Sequence, residues 1–105
     1  MFKKSQFNQD ISQWDISSVE SISEMFMESQ FNKDISAWNT SAIIYMAWVF
    51  KKSLFNQNLS RWDTISVSYM RKIFDECPYN HDISSWDMSN VIDVRRRVVD
   101  DSDEI

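Results

Sequence analysis

The residues best suited to chemistry lie close together near one end of the chain: Cys77, His81 and Asp82. A thiol beside a general base is the minimum for nucleophilic catalysis. These three are the least bad candidates for a small enzyme, but no further group is indicated to orient the imidazole. His81 takes a position filled elsewhere by Gln9, Lys33 and Gln57, which reads as wet surface. Cys77 stands where Ser5, Ser29 and Ser53 stand and is followed by Pro78, which suits a small buried residue. The expectation is therefore a protein with no catalytic residues.

The other chemistry-bearing residues form rows. Asp10, Asp34, Asn58 and Asp82 recur at a constant step, as do Asp15, Asn39, Asp63 and Asp87, and Asn8, Asn32, Asn56 and Asn80. Carboxylates stacked at strand spacing (~4.8 Å) repel one another. Either a hard cation such as calcium bridges them, or each accepts hydrogen bonds from backbone amides and from Ser12, Ser36, Ser60 and Ser84. No calcium-loop spacing is present, and Asn in two of these positions dilutes the charge. The hydrogen-bonding account is preferred, and no metal or cofactor is expected. The Asn row is read the same way, each amide satisfying backbone groups at a turn.

Behind these rows lies a repeat. FNQDISQWD at residues 7–15 returns as FNKDISAWN, FNQNLSRWD and YNHDISSWD, each 24 residues on. A period in this range signals stacked units. The 105 residues divide into a partial unit 1–6 and units 7–30, 31–54, 55–78 and 79–105, the last divergent, all in one domain. Within a unit, Val19, Ile22, Met25 and Phe26 have helical spacing, with Ser17 and Glu20 as a capping box. Helices are predicted at 18–28, 42–52, 66–76 and 90–99. Ile11, Trp14 and Ile16 suggest a short strand at 13–16, after a turn-rich segment in which Asn and Asp replace glycine, which is absent. The predicted fold is an α+β repeat solenoid of leucine-rich-repeat type, four stacked units each with one helix and a short strand or extended segment. All-α two-helix repeats are the alternative. The rows Phe7, Phe31, Phe55, Tyr79 and Trp14, Trp38, Trp62, Trp86 would be ladders in one core.

The units FNQDISQWDISSVESISEMF and FNKDISAWNTSAIIYMAWVF resemble the short repeats of bacterial surface and lipoprotein families. These are the Mycoplasma-lipoprotein and Listeria-type repeats, relatives of BspA-like leucine-rich repeats. The resemblance implies a solenoid and a non-enzymatic role in binding or adhesion, often at the cell surface. It supplies no catalytic residues.

Net charge −5 argues against a nucleic-acid backbone as partner, and the short run Arg95-Arg96-Arg97 is followed by Asp100, Asp101, Asp103 and Glu104. One cysteine allows no internal disulfide. No segment has signal-peptide or membrane-span character, so the chain as written reads as cytoplasmic. The second predicted helix is apolar throughout: Trp48 takes the position of Glu24 and Lys72, and Tyr45 that of Ser21. Ile44, Tyr45, Ala47 and Trp48 are the expected interface, since exposed apolar patches mark partners. The expected function is a protein–protein interaction module that self-associates, most simply as a two-fold dimer. An adhesin-like surface that binds a cation or glycan through the Asp and Trp rows is the alternative, and a small enzyme the remote one.

Overall fold

The computed structural model describes residues 2–92. Their backbone is built from turns. In the unit beginning at Phe7, the N–H groups of Trp14, Val19, Met25, Met27 and Ser29 donate to the carbonyls of Ile11, Ile16, Ile22, Glu24 and Phe26, each three residues back. The same closures recur at Trp38, Trp62 and Trp86 and at Ile43, Val67 and Val91.

Between these turns the chain bonds to the next unit. The N–H groups of Ile22, Glu24, Phe26 and Glu28 donate to Tyr45, Ala47, Val49 and Lys51 at 2.8–3.0 Å. Those of Met46, Trp48, Phe50 and Lys52 donate to Tyr69, Arg71, Ile73 and Asp75 at 2.8–3.0 Å. Among the described residues only two isolated parallel bridges result, Ser21 with Tyr45 and Tyr45 with Tyr69.

The predicted α+β solenoid is therefore wrong, and so is the all-α alternative. Among the described residues there is no α-helix, and the strand content is limited to those single-residue bridges. Nor is the molecule an extended leucine-rich-repeat array. Its radius of gyration is 12.9 Å and its extents are 38 × 26 × 23 Å, values of an ordinary compact domain of this length. The reason for the error is local. The three-residue spacing of Ile22 and Met25 is equally the spacing of successive turns, and the alternate N–H groups that a helix would bond four residues back go to the neighbouring unit instead. Ser17 caps no helix: its hydroxyl donates to Asp15 at 2.6 Å. The strand expected at 13–16 is a turn boundary, and the bridging residues lie inside the segments read as helical. The fourth predicted helix, 90–99, lies mostly outside the described residues, and Arg95-Arg96-Arg97 wholly so.

A second local cause is the left-handed backbone. Glu24, Trp48 and Lys72 have φ of 61°, 59° and 52°, and Lys4, Glu28, Lys52 and Glu76 have φ of 58°, 57°, 56° and 54°. Each of these columns sits third in a turn or at its equivalent, the position where a positive φ reverses the chain. The residues with positive φ are Lys, Glu and Trp, not the Asn and Asp expected to stand in for glycine. For such residues the conformation costs roughly 1–2 kcal/mol each.

Aromatic rings meet that cost from inside. Phe2, Phe26, Phe50 and Phe74 stack at 5.6–5.7 Å between centroids. Phe7, Phe31, Phe55 and Tyr79 follow at 6.1–6.4 Å, and Trp38, Trp62 and Trp86 at 6.3–6.4 Å. Phe26, Phe31, Phe50 and Phe55 are fully buried. Each such side chain contributes roughly 1.5–3 kcal/mol by burial, and each ring pair about 0.5–1.5 kcal/mol more. Ile35, Leu59, Met46, Met70 and Ile73 complete one continuous cluster.

Candidate functional site

The residues with chemical potential are positioned by the turns, and nearly all are bonded to backbone. Asp10, Asp34, Asn58 and Asp82 each accept, through Oδ1, the N–H of the serine two residues on, at 2.8–2.9 Å. Asp15, Asn39 and Asp87 accept both the N–H and the hydroxyl of Ser17, Ser41 and Ser89. Asp63 accepts from the N–H of Ile65 at 3.0 Å. These are Asx turns, the local closure that Asp and Asn favour.

The bonds hold the carboxylates ionised. Asp10, Asp34 and Asp82 lie below the ordinary carboxylate value chiefly because of the serine backbone N–H, and then the serine hydroxyl. For Asp15 and Asp87 the hydroxyl comes first and the N–H second. The repulsion within the row is not the controlling effect: Asp10 raises Asp34, but less than the Ser36 bonds lower it.

The Asn row links one unit to the next. Oδ1 of Asn8 accepts the N–H of Asn32 at 2.8 Å, Asn32 that of Asn56 at 2.8 Å, and Asn56 that of Asn80 at 3.3 Å. Indole N–H groups do the same work in the core, Trp38, Trp62 and Trp86 donating to the carbonyls of Ile11, Ile35 and Leu59 at 2.9–3.0 Å. These three Trp residues are buried.

The candidate enzyme residues are likewise turned to the backbone. Cys77 Sγ donates to the Phe55 carbonyl at 3.2 Å, and burial pushes the thiol up. His81 Nε2 pairs with the Asn56 carbonyl at 3.1 Å, the equivalent of the Gln57 bond to the Asn32 carbonyl. Asp82 is held by Ser84. The three side chains share no hydrogen bond with one another. Tyr79, which the sequence reading used only as a ring, accepts the Leu59 N–H through its hydroxyl at 3.0 Å.

Two surface regions are not used up in this way. On the outer face Tyr45 is 44% exposed and stacks on Tyr69, which is 37% exposed, at 5.1 Å and 8° between planes. Ile44, Ala47 and Trp48 lie half-buried beside them. Tyr69 was missing from the expected patch, although its position 24 residues after Tyr45 was a signal for it. The second region is the outer side of the first full unit. Trp14, Ile16, Val19, Ile22 and Met25 line a cavity of about 420 Å³ there. Asp15, Ser21 and Ser23 complete its lining.

Units of 24 residues that share turns, ring stacks and side-chain-to-backbone ladders define a tandem-unit class of protein. Residues 1–103 match the family model DUF285, Mycoplasma protein of unknown function, and the chain belongs to that bacterial family. No curated protein and no solved structure matches it. Among the described residues no helix is long and apolar enough to cross a membrane.

Proposed function

We propose that the protein is a non-enzymatic protein–protein interaction module that associates with itself through the outer patch of Ile44, Tyr45, Ala47 and Trp48, extended by Tyr69. The single observation that carries this reading is the exposed Tyr45–Tyr69 stack with apolar neighbours. Tyrosine and tryptophan anchor interfaces because they bury large area with few rotamers to fix. The resemblance of the units to Listeria-type surface repeats points the same way, toward binding rather than turnover.

The test uses substitutions that other units already tolerate. Ser21 occupies the Tyr45 position and Glu24 the Trp48 position, so Tyr45→Ser and Trp48→Glu respect the local backbone. Light scattering should give a dimer mass for the wild type and a monomer mass for the double variant. A wild type that is monomeric at high micromolar concentration overturns the proposal.

A further inference from the structure

The outer patch is built from columns that run across three units. Ser21, Tyr45 and Tyr69 form one, and Glu24, Trp48 and Lys72 form another. The second has one backbone conformation throughout, with φ of 61°, 59° and 52°, and all three side chains are half-buried. Ile44 and Ala47 flank Tyr45 and Trp48 in the middle unit. The apolar stretch ends there, where the Lys51 N–H closes a turn on the Trp48 carbonyl at 3.4 Å.

The units on either side of this apolar centre carry opposite charge. Before it stand Glu20 and Glu24, and after it Arg71 and Lys72. Lys3 binds Glu24 at 3.1 Å, and Glu24 remains 40% exposed. Such an exposed pair is weak, and Glu20 keeps the sign of that side acidic.

Two like faces meet about a two-fold axis that lies in the plane between them. An axis along the series of units sets each unit against its own copy. The acidic sides then meet each other, and so do the basic sides. An axis across the series sets the unit of Glu24 against the unit of Lys72, twice, with Tyr45 and Trp48 at the centre. Rim charges choose between the two, because like charges across an interface are rejected and opposite ones steer the encounter.

We infer that the partner is a second copy in antiparallel register, the unit of Glu24 in one chain facing the unit of Lys72 in the other. The inference rests on the self-association proposed for the patch and adds its orientation.

Charge reversal tests it, since Glu and Lys already occupy equivalent positions in this column. Sedimentation equilibrium should show the dimer weakened about tenfold by Glu24→Lys and about tenfold by Lys72→Glu, and returned to within about threefold of the wild type by the two together. Cross-linking supplies a second readout, in a Cys77→Ser background that puts serine where Ser5, Ser29 and Ser53 stand. Glu24→Cys chains mixed with Lys72→Cys chains should oxidise to a linked pair, while neither links alone. A dimer that Tyr45→Ser with Trp48→Glu dissolves, but that the single reversals leave intact or the double reversal fails to restore, overturns the orientation and leaves the patch standing. Linking of Glu24→Cys chains to one another does the same. A monomeric wild type, or a dimer that survives Tyr45→Ser with Trp48→Glu, overturns both.

Discussion

Trp14 and Trp38 have the same place in successive units, yet one is 43% exposed and the other 4%. The difference comes from the neighbour. Trp38 donates its indole N–H to Ile11, a residue of the preceding unit, and lies in a stack with Trp62. A unit therefore does not bury its own tryptophan; the unit before it does. This is the sense in which stability is shared along the chain, and it can be broken or sharpened in three steps.

The largest effect is expected at the ring itself. Trp62→Ala removes a buried side chain, a stack on both faces and the bond to the Ile35 carbonyl, and should cost about 3–5 kcal/mol in denaturant unfolding. Trp14→Ala should cost less, about 1–2 kcal/mol, because 43% of that side chain is already in water. Similar losses at the two positions would remove the distinction between the first unit and the inner ones.

Next comes acid. Asp10, Asp15, Asp34, Asp82 and Asp87 have values lowered from 3.8 by their serine bonds. A carboxylate lowered in the folded state stabilises it above the unfolded value, and that stability is lost as pH falls through the folded one. The melting temperature should hold down to about pH 4 and drop below it. These bonds are local to each unit, so Asp10→Asn and Asp82→Asn should flatten the acid limb to the same extent. If the two variants respond differently, the bonds depend on position in the stack as the tryptophans do.

The smallest effect concerns backbone. Lys52 has φ of 56°, and Lys52→Gly should stabilise the fold by about 0.5–1 kcal/mol, the relief of the left-handed strain less the entropy of glycine. Lys51→Gly, one residue away at a position without positive φ, should destabilise by a similar amount. A loss at both would show that Lys52 makes contacts worth more than its strain.

The inward set of side chains was legible in the sequence. Ile22, Met25 and Phe26 were picked out by spacing and are buried, and Phe31, Phe55, Trp38 and Trp62 were picked out by repetition. The role of Asp10 was legible too, because Asp with Ser two residues on favours local closure, whereas Asn32 satisfies a backbone N–H one unit away. The backbone was not. A spacing of three fits one helical turn and one β-turn equally well, and no residue in the unit is a glycine that would have marked the left-handed positions. Glu24 and Glu28 look like good helix formers, and the bonds of their own N–H groups to Ala47 and Lys51 override that preference.

Lys4, Glu28, Lys52 and Glu76 occupy one left-handed column, all on the exposed surface. Their signs alternate from one tier to the next. Like charges on facing neighbours are unfavourable, so any exchange of adjacent tiers would set lysine against lysine or glutamate against glutamate. Near-identical copies thus carry a written order, and a chain folding from many interchangeable pieces has a means of rejecting the wrong sequence of them.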